Sequence, residues 1–208
     1  AFANQVAVYE LTTNATVDIR YTLGHKPQIL VLDDGNTEDI HTGILQSAAF
    51  KPSQYVVVSA KDVTQYASNS CYTIVTAPHY HEDSANAEAS AIRAFIEAGG
   101  NFLAQCAAVR TYENNAAFGH LHASTGLADD NHSSLFIHPH ADLAFSQFDG
   151  KLADIGGSLQ DWTLAPGASF THGGHPHAQN ADDTNSMTAA SAKLVRGKPG
   201  SVVFYLGG

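Results

Sequence analysis

The chain has 208 residues, 44% of them hydrophobic and 14% charged, which is enough to bury a core and excludes disorder of the whole chain. The formal net charge is -10 with only 10 Lys and Arg, so no basic stripe exists and nucleic acid is excluded as a partner class. No apolar run approaches the ~20 residues needed to span a bilayer as a helix.

Along the chain, the start at Ala1-Phe2-Ala3 without an initiator Met suits a mature chain left after signal cleavage. Asn14-Ala15-Thr16 and Asn131-His132-Ser133 fit the N-glycosylation pattern, making Asn14 and Asn131 candidate glycan sites. Both features point to an extracellular or cell-surface setting. Residues 5–23 alternate apolar and polar around Thr12-Thr13-Asn14-Ala15, which predicts a β-hairpin within an N-terminal extension, residues 1–26. An exposed hairpin edge offers self-association by strand addition.

From residue 27 the pattern becomes strand–helix alternation. Strands are predicted at Gln28–Leu32, Tyr55–Ser59, Thr73–Ala77, Asn101–Gln105 and Ser201–Leu206. Helices are predicted at Asp39–Phe50, Ser84–Ala98 and Ala107–Asn114, the second capped by Ser84 and stopped by Gly99-Gly100. Strands that are apolar throughout and followed by helices imply an α/β three-layer sandwich with a mostly parallel central sheet. Residues 119–185 read as a loop-rich insertion in His, Asp and Asn, with short strands at Ser134–Ile137, Gly150–Ile155 and Ala168–Thr171. The domain reading is therefore 1–26 as the hairpin and 27–208 as the α/β unit.

The segments Ile29–Gly35, Ile74–Pro78, Ala91–Asn101 and Val202–Gly208 resemble the class I glutamine amidotransferase-like superfamily, nearest its ThuA-like and DJ-1/PfpI-like branches. The resemblance covers roughly half the chain. It implies a flavodoxin-like fold, and its members span amidotransferases, hydrolases and domains without chemistry.

In an open parallel sheet, sites lie beyond the carboxyl ends of the strands. Four segments converge there: Asp33–His41, Pro78–Asp83, Gln105–Arg110 and Gly207-Gly208. Cys106 follows an apolar strand and precedes a helix, flanked by small residues, which is the build of a nucleophile elbow. A thiol there faces a helix N-terminus, where thiolate is favoured. A nucleophile needs a base. The superfamily's amidotransferases supply it as His-x-Glu near the C-terminus, a triplet this chain lacks, and their elbow often carries Gly where this one has Ala. The DJ-1-like pattern implies a His soon after the elbow and an acid after the first strand, for which His120 or His122 and Glu38 are the candidates. Asp33, Asp34, His79, His81 and Arg110 are candidates for substrate binding. The plain alternative is an inert, partly buried thiol.

An exported chain with two Cys also invites a Cys71–Cys106 disulfide. Topology opposes it: in parallel strands the two lie about five or six residues apart along the axis, near 17–20 Å, whereas a bridge needs Cα atoms within about 7 Å. The twelve His cluster. His79 and His81, and likewise His172, His175 and His177, could hold Zn or Cu, or simply line solvated loops. Asp129-Asp130 and Asp182-Asp183 are weaker Ca candidates, since no EF-hand spacing is present. Arg110 and Glu113 sit one turn apart, which predicts a local ion pair, and Trp162 belongs either to a sugar-stacking loop or to a core. Two function classes remain: a non-catalytic surface or assembly protein, and a Cys106-dependent hydrolase or amidase acting on a small molecule or glycan.

Overall fold

A computed structural model describes residues 28–33, 38–67, 72–78, 86–130, 135–137, 151–153, 161–171 and 174–207. The protein is an α/β structure built on a mixed sheet. Its first part alternates β1 (Ile29–Asp33), α1 (Glu38–Ser47), β2 (Tyr55–Ser59), α2 (Val63–Tyr66), β3 (Ile74–Ala77), α3 (Asn86–Glu97), β4 (Asn101–Gln105) and α4 (Ala107–Glu113). The remainder supplies β5 (Leu127–Asp130), β6 (Leu135–Ile137), β7 (Lys151–Ala153), β8 (Asp161–Leu164), β9 (Gly174–Asn180), β10 (Ser186–Met187), β11 (Ala189–Lys193) and β12 (Val202–Leu206).

Among the described residues the main sheet runs β2-β1-β3-β4-β12-β11-β9-β6-β7. The first five strands are parallel, with Leu30 opposite Val56 and Val75, Ala77 opposite Ala104, and Leu206 opposite Gln105. This is the doubly wound order 2-1-3-4-5, with its switch point between β1 and β3. β11, β9, β6 and β7 continue the sheet antiparallel. A second sheet, β10-β8-β5, is antiparallel.

The central parallel strands are largely apolar, and β4 and β12 alternate buried with half-buried positions, so one face carries the core. One face carries Leu30, Leu32, Val75, Ala77, Phe102, Ala104, Val203 and Tyr205, packed with Ile92, Phe95 and Ile96 of α3 and Val109 and Tyr112 of α4. Phe102 meets Tyr112 edge-on, ring centroids 4.8 Å apart. Each large side chain so buried stabilises the fold by about 1.5–3 kcal/mol. Helix α3 ends where Gly99 takes φ 112, with the Gly99 and Gly100 N–H groups donating to the carbonyls of Ile96 and Phe95. The opposite face is less buried, with Val57 of β2 39% exposed. Helix α1 turns His41 and Thr42 inward and leaves Ile44 57% exposed.

The stretch expected to be loop-rich carries β5, β8 and β9, and His175-Pro176-His177 lies within a strand paired with β11. Such segments lack apolar alternation and hold strand geometry through their neighbours, not through propensity. The strand expected at Ala168–Thr171 is one bridge, Ala123 to Phe170. Trp162 is a core residue: it is fully buried in the same cluster as Phe102 and Tyr205. The predicted hairpin of residues 5–23, Asn14, Cys71 and Asn131 lie outside the described residues, as does Ser84. No described helix is long and apolar enough to cross a membrane.

Candidate functional site

Strands β1, β3, β4 and β12 end together, at Asp33, Ala77, Gln105 and Leu206. Cys106 is the residue at which β4 turns into α4. Its N–H donates to the Leu206 carbonyl at 2.9 Å, and its carbonyl accepts the Val109 N–H at 2.9 Å. Between these two ties the backbone is driven to φ 52, ψ -133, a conformation that costs a non-Gly residue about 1–3 kcal/mol. The side chain is 6% exposed. The strand–turn–helix elbow expected from Gln105-Cys106-Ala107 is present in these ties and dihedrals.

Glu38 and His41 occupy the first turn of α1, three residues apart and so on one face of the helix. The His41 Nε2–H donates to Oε1 of Gln105 at 2.9 Å, docking α1 onto the residue before the elbow. His41 is 4% exposed; its Nδ1 is buried without a hydrogen-bond partner, and so is Oε2 of Glu38. Burial holds the His41 imidazole below its ordinary pKa, only partly opposed by the Gln105 hydrogen bond, so the ring is neutral near pH 7. With Nε2–H committed to Gln105, the lone pair sits on Nδ1.

His122 belongs to a different assembly. Glu113, the last residue of α4, turns into the core and accepts three hydrogen bonds. The His122 and Ala123 N–H groups reach Oε1 at 2.7 and 2.8 Å, and the Tyr205 hydroxyl reaches Oε2 at 2.8 Å. The His122 ring stacks on Tyr205 at 4.1 Å, with Nδ1 3.5 Å from Oε2 of Glu113. All three side chains are fully buried. Burial alone would raise the Glu113 carboxyl, but the His122 contacts and the Ala123 N–H hold it below its usual range. Tyr205 is pushed well above its usual range by burial and by the Glu113 charge. Beside this group, Tyr112 donates its hydroxyl to Glu88 at 2.7 Å.

The acid beside His122 is therefore Glu113, not Glu38. Glu113 is no surface partner for Arg110 either, because it faces the core while Arg110 is exposed. His120 is half-buried at φ 22 with Nδ1 unpartnered. Asp33 ends β1 on the rim. Asp34, His79, His81 and His172 lie outside the described residues, as does the side chain of His175. His177 bonds Ser191 through Nε2 at 2.6 Å and stacks on Phe204. Asp182 and Asp183 shape the turn after β9, where Asn180 Oδ1 accepts the Asp182 N–H and Asp183 Oδ1 accepts the Asn185 N–H. No group of three His, Cys, Asp or Glu poised for a metal occurs among the described residues. An open cavity of about 440 Å³ lies at the amino end of the strands, lined by Tyr72, Thr73, Phe95 and Gly100, away from the rim.

Pattern reading did not single out His41, Gln105 or Tyr205, and it read Glu113 only as a partner for Arg110. The Glu38/His41 spacing at the end of β1 was a usable signal. Nothing local marks Glu113 or Tyr205, whose partners are 92 positions apart.

No family model matches the chain, and no curated protein matches it. Solved structures do. A ThuA-like protein from Bacteroides uniformis aligns with TM-score 0.57 at 9% identity, over 92% of this chain and 85% of that one. The mmIFT52 N-terminal domain aligns with TM-score 0.50 at 10% identity, over 86% and 85%. A GMP synthase protein from Thermoplasma acidophilum aligns with TM-score 0.49 at 10% identity, over 88% and 83%. At these identities the likeness is one of fold, and the fold is that of a ThuA-like α/β domain.

Proposed function

We propose that this chain is an amidotransferase-like domain whose Cys106 acts as a nucleophile on a small acyl or amide substrate. The observation that carries the reading is the backbone of Cys106 at φ 52, ψ -133 on the carboxyl rim of the parallel strands. Strain of this kind persists where its surroundings over-determine it, and it concentrates at functional sites. A thiol on such a turn is presented for attack. The test is acylation by p-nitrophenyl acetate, followed by mass mapping. An acetyl group on the Cys106 peptide, absent in Cys106→Ala, is expected. No adduct on the folded protein would sink the reading.

A second reading is a non-catalytic assembly module. It is supported by exposed large apolar side chains: Ile40 and Ile44 of α1, Phe50 and Val57. Apolar surface of this kind suits association. In this reading the protein self-associates in an extracellular setting. Concentration-dependent mass in light scattering, reduced by Ile44→Lys, is its expected signature, and a monomer at all concentrations counts against it.

A further inference from the structure

We infer that the open edge of β2 is the docking site of the chain's own residues 16–21, which add to it as an antiparallel strand. The inference is independent of the chemistry at Cys106.

An unpaired edge strand offers its N–H and C=O groups to any other chain, and proteins guard such edges with charges, Pro, bulges or a covering segment. β2 ends the main sheet: β1 pairs with it on one side and no described strand lies on the other. Its sequence, Tyr55-Val56-Val57-Val58-Ser59, has no charge and no Pro. The direction of its backbone groups follows from one bond. The Gln54 carbonyl accepts the Gln28 N–H at 2.8 Å, so it faces β1. Backbone groups alternate sides along a strand. Val56 and Val58 therefore also face β1, while Tyr55, Val57 and Ser59 direct their N–H and C=O groups to the open side. Val57, at the centre of that edge, is 39% exposed.

The occupant is chosen by where the rest of the chain joins the sheet. Residues 1–27 precede Gln28, and Gln28 is bonded to Gln54 at the amino end of β2. The segment Thr16-Val17-Asp18-Ile19-Arg20-Tyr21 alternates polar and apolar, the pattern of a strand with one covered face. Residues 22–27 follow it, with Gly24 and Pro27, and read as a link. The outer side of β2 lies two strand spacings from β1, about 10 Å. A link of this length spans about 20 Å when extended, so it reaches. A link passing at the amino end makes the added strand run opposite to β2. An antiparallel strand on the edge of a parallel sheet is a common arrangement.

The Tyr55 hydroxyl accepts a hydrogen bond from Gln46 of α1 at 3.2 Å, which marks the α1 side of β2. Val57 shares that side with Tyr55, two positions away. Val17, Ile19 and Tyr21 continue this row, so the exposed Val57 gains apolar neighbours and the free backbone groups of the edge gain partners. The same strand from a second copy is the competing occupant.

The experiment is hydrogen exchange of the full chain read by mass spectrometry, at low and high protein concentration, for wild type, Ile19→Pro and Val57→Pro. In wild type, peptides covering residues 16–21 and 55–59 are expected to exchange at least tenfold more slowly than the same sequences as free peptides, at both concentrations. Ile19→Pro changes no residue of the described fold and is expected to release both segments. Val57→Pro removes an N–H that faces away from β1, a position where an edge strand tolerates Pro, and is expected to release residues 16–21. If Val57→Pro fails to fold, Ile19→Pro decides. Residues 16–21 exchanging at the free-peptide rate in wild type overturn the inference. Protection of residues 55–59 that survives Ile19→Pro, or of residues 16–21 that survives Val57→Pro, also overturns it, since the segment then docks elsewhere. Protection present only at high concentration, with a dimer mass in light scattering, overturns it in favour of the second copy's strand. None of these outcomes bears on acylation of Cys106.

Discussion

The Tyr205 hydroxyl donates to Oε2 of Glu113 at 2.8 Å, tying the middle of β12 to the last residue of α4 inside a fully buried pocket. The same carboxylate takes two backbone N–H groups, those of His122 and Ala123 in the segment after α4. One side chain therefore joins a helix, a strand and a loop. Removing it leaves three donors unmatched.

Glu113→Ala is accordingly expected to destabilise the protein by about 3–5 kcal/mol, the cost of breaking a buried charged network. Tyr205→Phe removes a single donor and is expected to cost about 1–3 kcal/mol. Urea unfolding of both variants checks the order; a Glu113→Ala protein as stable as Tyr205→Phe would contradict it.

Stability should fall on acidification in two stages. The His41 pKa is lower in the folded chain than in the unfolded one, so the unfolded chain binds the proton first. Its contribution is complete above about 6.5 and is lost as pH falls toward the folded value. Glu113 is likewise lowered, so its contribution is complete above about 4.3 and is lost below that. Tyr205 is raised, so its contribution holds below about 10 and is lost as pH rises further. Urea midpoints against pH should show these limbs, and His41→Asn should flatten the stretch between pH 7 and 5.5.

At most positions Ala is more stable than Gly by about 0.4–1 kcal/mol. At position 106 the order should invert. The dihedrals φ 52, ψ -133 are open to Gly and strained for any residue with a Cβ. Cys106→Gly is expected to exceed Cys106→Ala in stability by about 1 kcal/mol or more. The reverse order in thermal unfolding would mean that the turn relaxes when the thiol is removed.

Gly200 has φ 71, and a Cβ there would overlap the carbonyl oxygen of Gly99. Backbone cannot yield as a side-chain tip does, so Gly200→Ala should destabilise by about 3 kcal/mol or more. Gly197, at φ 76 with open space around it, serves as the control: Gly197→Ala meets only the dihedral cost.

Trp162 is the single Trp, is fully buried, and shares its core with Phe102 and Tyr205 of the main sheet. Its emission therefore reports on β8 and on that shared core together. Unfolding followed by Trp fluorescence and by far-ultraviolet circular dichroism should coincide in one transition. An earlier fluorescence transition would mark residues 119–185 as a separately folding unit.

The parallel half was readable because its strands are apolar runs between helical periods: Tyr55–Ser59 and Asn101–Gln105 have the boundaries their patterns predict. Gly174–Asn180 was not, since Gly, His, Pro, Gln and Asn carry no strand signal and the segment is held by β11 beside it. The site divides the same way. Cys106 announces itself by small flanking residues at a strand end, a local feature. The partners of His41 and His122, Gln105 for the one and Glu113 and Tyr205 for the other, come together through sheet order. No spacing along the chain encodes that approach.

β12 lies between two halves of opposite sense, parallel to β4 on one edge and antiparallel to β11 on the other. During synthesis β1 to β4 emerge early, and β4 keeps an open edge until Val202–Leu206 leaves the ribosome. The arriving strand brings the Leu206 carbonyl that completes the turn at Cys106. Non-local closure of this kind is slow, and an unpaired edge invites aggregation in the interval. Maturation of the elbow is thus timed by the arrival of β12, and a nascent chain stalled before residue 202 would carry the thiol without the geometry that presents it.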